Sequence, residues 1–76
     1  MTISEAVGKR IQFYLHEKGM REWDLFKASG VPCSTISTIL KGKNKDTKTS
    51  TILNICYGFD ITLKEFFDDE MFDVAE

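Results

Sequence analysis

The chain has 76 residues, of which 42% are hydrophobic and 29% are charged, and its formal net charge is −2. That length accommodates a single domain, and the composition is that of a globular protein and not of a disordered or fibrous one. Because no apolar run approaches the length of a transmembrane helix and the first residues lack the basic and apolar parts of a secretion signal, we expect a cytoplasmic protein without a membrane partner.

The first predicted helix begins with a capping box. Thr2 and Glu5 have the spacing at which each side chain hydrogen-bonds the backbone N–H of the other. The apolar residues that follow recur at intervals of three and four, which is the periodicity of an amphipathic helix. They are Ile3, Val7, Ile11, Tyr14 and Leu15. We expect this helix to end at Gly19.

A second, shorter helix is predicted over residues 21–29, with Leu25 and Ala28 facing the core. Gly30 then supplies the left-handed or closely packed position that a tight turn requires, and Val31 points back to the core. The pattern therefore predicts a short helix that is followed by a tight turn.

A third helix is predicted directly after this turn. Pro32 suits its first turn, where a missing backbone N–H costs nothing. Ile36, Ile39 and Leu40 form a narrow apolar stripe along it, and Gly42 ends it. The outward surface of this helix is small and polar.

Two further helices are predicted beyond a polar loop. Thr49 or Ser50 can cap the fourth helix, which we expect to end at Gly58. Thr62 and Glu65 repeat the capping-box pattern and open a fifth helix. The residues of these helices that are predicted to face the core are Ile52, Leu53, Ile55, Cys56, Leu63, Phe66 and Phe67. No alternating β pattern and no internal repeat occurs, so the sequence predicts an all-α fold.

The two signs of charge are segregated along the chain. Residues 1–59 contain nine Lys/Arg and five Asp/Glu, a balance of +4, whereas residues 60–76 contain one Lys and seven Asp/Glu, a balance of −6. Phosphate binding depends on the local field at the contact surface, so a basic body is compatible with nucleic acid in spite of the overall charge. We expect residues 1–67 to form the domain and residues 68–76 to form an acidic tail.

The outward face of the third helix suits the major groove of DNA. If Ile36 and Ile39 are buried, the opposite face presents short polar side chains, which can approach base edges closely. These residues are Ser34, Ser37, Thr38 and Lys41, flanked by Cys33 and Thr35. Lysines 43, 45 and 48 follow in the loop and can pair with backbone phosphates. A capped helix beside a soluble loop would explain each residue singly, but it does not predict this ordered combination.

Several segments together resemble the Cro/phage-repressor helix-turn-helix family, which is also called XRE-like. They are GMREWDL at residues 19–25, GVPCSTIS at 30–37, and GK at 42–43. TILNIC at 51–56 and FDITLKEF at 59–66 are similar to the fourth and fifth helices of that family, so the resemblance covers residues 4–67. It implies a compact five-helix bundle of the lambda-repressor-like DNA-binding type, in which the helix at residues 32–41 enters the major groove.

The resemblance also implies roles for individual residues. Cys33, Ser34 and Thr38 match base-contacting positions of the family, and Thr35 matches a position that contacts a phosphate or a base. Lys41, Lys43 and Lys45 match the backbone-contacting segment. We expect Thr35 to contact a base, and Arg21 and Ser37 to contact the DNA backbone as well. The chain departs from the family at Glu22, where a glutamine that contacts DNA is common. Either Glu22 caps its own helix and Arg21 takes the phosphate contact, or the protein docks differently from its relatives.

A homodimer is expected, because one recognition helix offers few base contacts while two related by a two-fold axis contact half-sites about 34 Å apart. The residues available for the contact are Phe66, Phe67, Met71, Phe72 and Val74, which supply more apolar surface than a terminal segment normally exposes. The alternative is that Phe72 and Val74 fold back onto the core of their own chain.

These observations predict a sequence-specific transcriptional regulator, a repressor, with double-stranded DNA as its partner. The alternative is a protein-interaction module, antitoxin-like or antirepressor-binding, with weak DNA binding. No nucleophile with a base and an orienting group is assembled, so we expect no enzyme. Neither metal-ligand spacing nor a small-molecule or cofactor motif occurs, and Cys33 and Cys56 are expected to be free thiols.

Overall fold

Six α-helices make up the regular structure of residues 1–43 and 46–76, which are the residues that the computed structural model describes. In chain order they are α1 (Ile3–Glu17), α2 (Glu22–Ser29), α3 (Cys33–Leu40), α4 (Thr49–Phe59), α5 (Leu63–Phe66) and α6 (Met71–Val74). The predicted all-α fold is confirmed, and α6 is an additional short helix that the sequence analysis did not predict. None of these helices is long and apolar enough to cross a membrane.

Both predicted capping boxes are present. At α1, Thr2 Oγ1 accepts a hydrogen bond from the Glu5 N–H (3.1 Å), and the Thr2 N–H donates to Glu5 Oε1 (2.9 Å). The hydrogen bonds from Thr2, first of all the one from its backbone, lower the pKa of the Glu5 carboxyl. At α5, Thr62 and Glu65 make the same reciprocal pair, at 3.0 and 3.1 Å. The local pattern is therefore sufficient to locate these two helix starts.

Helix α4 differs from the prediction at both ends. Its N-cap residue is Lys48, which makes no side-chain capping hydrogen bond, so the expected cap by Thr49 or Ser50 is wrong. At the other end the helix passes through Gly58 and stops at Asp60, whose φ of 59° and ψ of 47° are left-handed. Aspartate enters this region more readily than most residues because its short polar side chain can hydrogen-bond locally.

Two glycines inside helices allow close helix packing. A Cβ atom on Gly58 would lie 2.9 Å from Leu25 Cδ1 and 3.0 Å from Ser29 Cβ, so α4 and α2 approach closely there. A Cβ atom on Gly8 would lie 2.5 Å from the carbonyl oxygen of Ile39. Since Ile39 belongs to α3, the position of α3 on α1 depends on the missing side chain of Gly8.

An apolar cluster fills the space between the helices. Its buried members are Val7, Ile11, Leu25, Val31, Ile36, Ile39, Ile52, Ile55, Cys56, Phe59 and Phe66. Four residues that were predicted to face the core do not lie in it: Ile3 is 43% exposed, Phe67 is 39% exposed, Ala28 is exposed, and Leu53 is half-buried outside the cluster. Ala28 is turned away because α2 packs on α4 through Leu25 and Ser29, and Phe67 because α5 is a single turn that buries the preceding residue.

Arg10, on α1, is buried and closes the carboxyl end of α5. Its Nε donates a hydrogen bond to the carbonyl oxygen of Phe66 (2.7 Å), and its Nη2 donates to those of Glu65 (2.8 Å) and Asp68 (3.2 Å). The end of a helix leaves such carbonyl groups without intrahelical partners. The guanidinium also lies over the ring of Tyr14, 4.8 Å from its centroid. The local sequence around Arg10 is that of any helix arginine, so it did not indicate this role.

The last residues fold back onto the N-terminal helix. α6 packs against α1, and two backbone hydrogen bonds join the segments: the Ile3 N–H donates to the Glu76 carbonyl (2.8 Å) and the Glu76 N–H to the Met1 carbonyl (3.0 Å). The division into a domain at residues 1–67 and an acidic tail at 68–76 stays a prediction. In the structure, the second segment lies against the first.

Candidate nucleic-acid interface

Helices α2 and α3 are joined by a turn that local hydrogen bonds hold in place. Gly30 adopts φ 77° and its N–H donates to the Phe26 carbonyl (2.8 Å), which ends α2. Ser29 Oγ donates to the Leu25 carbonyl (2.6 Å) and accepts from the Val31 N–H (3.1 Å). Because Val31 and Leu25 are both buried, the turn is also anchored in the core. The two helices form a helix-turn-helix unit with a fixed geometry.

Helix α3 presents its predicted polar face to the surface. Ile36 and Ile39 are 0% and 1% exposed and attach the helix to the core. Among the residues predicted to contact bases or backbone, Ser34 is exposed, whereas Cys33, Thr35, Ser37 and Thr38 are half-buried. The surface of α3 therefore consists of small side chains that would not hold the helix away from a groove.

Two of the predicted base contacts already have hydrogen bonds within the protein. Thr38 Oγ1 donates to the carbonyl oxygen of Ser34 at 2.8 Å, and Cys33 Sγ donates to the carbonyl oxygen of Glu22 at 3.9 Å. By contrast, the hydroxyl groups of Ser34 and Thr35 have no hydrogen-bond partner within residues 1–43 and 46–76. Ser34 and Thr35 can therefore donate a hydrogen bond to a ligand directly, whereas Thr38 and Cys33 would first have to break a hydrogen bond inside the protein.

Basic residues flank the exposed face of α3. Lys41 is the C-cap of α3, and both Lys41 and Lys43 are exposed. Lys48 is exposed at the start of α4. Lys45, which was predicted to contact the DNA backbone, lies outside the described residues. The described lysines are therefore available for phosphate contacts near α3.

The hydrogen bonds at the start of α2 exclude one of the two alternatives for Glu22, namely that it caps its own helix. The carboxylate that caps α2 belongs to Asp24, whose Oδ2 accepts from the Arg21 N–H at 2.9 Å. Asp24 takes this role because it stands three residues beyond the N-cap, the position from which a carboxylate reaches back to the N-cap N–H. Glu22 is exposed and does not cap the helix. Arg21 is also exposed, so a cation and an anion stand side by side at this end of α2.

A shallow cleft beside α3 adds residues that the sequence analysis missed. Thr35 lines it together with Thr47, Lys48 and Thr51, and Asp46 completes it. Thr51 lies on the first turn of α4, so the start of that helix faces the same side of the protein as α3. The spacing of these threonines in the sequence did not indicate that they lie in one cleft, because the cleft forms only when α3 and α4 pack together.

The residues predicted for dimerisation are divided between core and surface. Phe66 is 0% exposed, and Phe72 is half-buried with its ring centroid 6.1 Å from that of Phe66. Met71 is half-buried as well. Phe67 is 39% and Val74 is 73% exposed. The apolar surface available for dimerisation is therefore smaller than the sequence suggested, since Phe66 belongs to the core of its own chain.

The single histidine and the second cysteine of the chain lie on helices other than α2 and α3. His16 is exposed on α1, and Cys56 is buried, which raises the pKa of its thiol. Cys33 and Cys56 are both free. In the part of the chain that the structure describes, no group of three His, Cys, Asp or Glu residues could hold a metal ion.

Comparison with known proteins gave one finding. A family model described as a Cro/C1-type HTH DNA-binding domain matches residues 10–71, which include α2, α3 and the turn between them. Neither the curated proteins nor the solved structures that were searched gave a match.

Proposed function

Because the chain belongs to the family of Cro/C1-type helix-turn-helix DNA-binding domains, which is non-catalytic, we propose that it is a sequence-specific transcriptional repressor that places α3 in the major groove. The observation that carries the proposal is the surface of α3. Its exposed and half-buried side chains are short and uncharged, and exposed lysines stand directly beyond it. This arrangement fits a helix that approaches base edges while its flanks contact phosphates.

In this proposal the two kinds of contact have separate roles. Lys41 and Lys43 pair with phosphates and fix the position of the protein on the duplex, whatever its sequence. Ser34, Thr35 and Thr38 meet the base edges and supply the sequence preference. Occupation of a promoter by the bound domain is sufficient for repression, since it needs no further contact with the transcription machinery.

Replacing Lys41 and Lys43 together by glutamine is expected to weaken binding to all duplexes by a similar factor. The slope of log binding constant against log salt concentration should fall by about one unit for each lost phosphate contact, because fewer counterions are released. The measurement is retention of a random duplex pool at two salt concentrations, with sequencing of the retained DNA. The enriched sequence motif should be the same for the variant and the wild type.

Two other exposed lysines provide the control. Lys18 follows α1 and Lys64 lies on α5, and replacing both by glutamine makes the same change in net charge. This control should keep the wild-type salt slope. If the wild type retains no duplex at low salt, the repressor proposal is wrong and a protein-interaction module takes its place. If the salt slope falls equally for both double variants, Lys41 and Lys43 have no special role in phosphate binding.

We further propose that the protein binds DNA as a homodimer through Phe67, Met71 and Val74. Phe67 and Val74 are exposed, and Ile3, which is 43% exposed, lies near Phe67 because both line one small cavity. One chain measures 31 × 22 × 21 Å, so half-sites about 34 Å apart leave room for one chain on each.

Replacing Val74 by aspartate is expected to weaken this dimer roughly tenfold or more, because the contact would bury an unpaired charge. The mass of the protein in solution, measured by light scattering over a range of concentrations, should then fall toward that of one chain. Tyr57→Asp is a matched control, since Tyr57 is 68% exposed on α4. A wild type that stays monomeric both alone and on a two-fold symmetric duplex would contradict the dimer.

A further inference from the structure

Helix α3 lacks the side chains that usually discriminate bases by paired hydrogen bonds. Such contacts come from Arg or Lys to guanine and from Asn or Gln to adenine, since each of these presents two groups or a long flexible donor. Between Cys33 and Leu40 the helix has only cysteine, serine, threonine, isoleucine and leucine. Sequence preference at α3 must therefore come from single hydrogen bonds and from contacts of small apolar groups.

The hydroxyl of Thr38 is already occupied. It donates to the carbonyl oxygen of Ser34 one helical turn earlier, at 2.8 Å, which is a good distance for an O–H···O hydrogen bond. To donate to a base, the hydroxyl would first have to give up this bond. While this bond is kept, Thr38 can contact a base edge either through its methyl group or through its hydroxyl oxygen as an acceptor.

Ser34 shows the opposite arrangement. Its side chain is exposed, and its hydroxyl has no hydrogen-bond partner in the described ranges, 1–43 and 46–76. It can donate or accept at a base edge without breaking a bond inside the protein. Ser34 and Thr38 stand one turn apart on the same face of α3, so an apolar and a polar contact group lie next to each other.

We propose that Thr38 recognises thymine through the contact of its methyl group with the thymine C5 methyl, while Ser34 makes the polar base contact of α3. The inference rests on the proposed function and specifies its ligand as an A·T pair. In the major groove the C5 methyl distinguishes thymine from the other three bases by an apolar group. Removing two methyl surfaces from water favours this pair, whereas cytosine at the same place offers no methyl group to bury.

The test begins with the duplex motif that the wild-type protein retains from the random pool. Each thymidine of that duplex is replaced in turn by deoxyuridine, which removes only the C5 methyl and keeps the base-pairing groups. At one position in each half-site, the wild type should bind about fourfold more weakly, the effect of one buried methyl group. Thr38→Ser should bind the thymidine duplex more weakly by a similar factor and should not distinguish deoxyuridine from thymidine there.

Thr38→Val separates the methyl from the hydroxyl. It keeps a methyl group of the same size and loses the hydroxyl, so it should bind within about twofold of the wild type and keep the discrimination against deoxyuridine. Ser34→Ala is the second control. It should weaken binding and leave the deoxyuridine effect unchanged, because the polar contact is a separate one.

Three results would overturn the inference. One is wild-type binding to the motif that no deoxyuridine substitution weakens, which leaves the repressor proposal intact. Another is weak binding by Thr38→Val together with normal binding by Thr38→Ser, which would make the hydroxyl the contact group. The last is the absence of any retained duplex at low salt, which would remove the repressor proposal and this inference with it.

Discussion

Replacing Arg10 by methionine is expected to lower the free energy of unfolding by about 3 kcal/mol, because it leaves the buried carbonyl oxygen of Phe66 without its donor and removes the part-buried hydrogen bonds to Glu65 and Asp68. The side chain is 8% exposed and donates to three backbone carbonyl groups of residues 65–68 at 2.7 to 3.2 Å. Methionine fills a similar volume but cannot donate. The measurement is urea denaturation followed by circular dichroism, with the midpoint and slope fitted together.

Lys9→Met is the matched control for this prediction. Lys9 is the neighbouring residue on α1 and is exposed, so the substitution removes the same charge without touching the carboxyl end of α5. It should change stability by less than about 0.5 kcal/mol. Equal losses for the two variants would show that charge and not hydrogen bonding matters at Arg10.

The ion pair of Arg10 with Asp69 should contribute little beside these hydrogen bonds. The two charged groups are 3.5 Å apart, but the carboxylate is 41% exposed, so water screens the attraction. The carbonyl groups are therefore the important partners, and they do not titrate. For this reason the stabilisation by Arg10 should persist in mild acid.

Replacing Gly8 by alanine is expected to destabilise the protein by about 1–3 kcal/mol, which is the usual range for overpacking a core. At an exposed helix position the same change would stabilise by about 1 kcal/mol, since alanine is the better helix former. Here the new Cβ would lie 2.5 Å from the carbonyl oxygen of Ile39, and a backbone atom cannot rotate away. Because α3 must shift, DNA affinity should fall as well.

Gly58→Ala provides the comparison, since it makes the same change in another helix. The nearest atoms to its Cβ are Leu25 Cδ1 at 2.9 Å, at the end of a side chain that can move, and Ser29 Cβ at 3.0 Å, so the required shift is smaller than at Gly8, where a backbone oxygen lies at 2.5 Å. The loss of stability should therefore be smaller than at Gly8, and DNA affinity should change less. An increase in stability for Gly8→Ala, in the same denaturation experiment, would contradict the close packing of α1 on α3.

The features that the sequence predicted correctly are those that local chemistry determines. The capping boxes at Thr2 and Thr62 place two helix starts, and the left-handed Gly30 places the end of α2. The stripe of Ile36 and Ile39 gives the orientation of α3 and hence the residues on its outer face. Each of these depends on residues within about one helical turn of one another.

The features that the sequence did not predict depend on contacts between distant segments. Gly58 has the pattern of a helix end, yet it lies inside α4 because α2 packs against it. The hydrogen bonds of Arg10 join residues that are 55 to 58 positions apart. Thr51 enters the cleft beside α3 only through the packing of α4. No local pattern distinguishes such residues before the tertiary structure is known.

The long separation between Arg10 and its acceptors has a consequence for the order of folding. A contact across more than fifty residues forms only after a large loop has closed, which is entropically costly, whereas α2, α3 and their turn need only neighbouring residues. Interactions that form after the rate-limiting step change the unfolding rate and leave the folding rate almost unaltered. We therefore expect Arg10→Met to raise mainly the unfolding rate, and substitutions in the helix-turn-helix segment to lower mainly the folding rate.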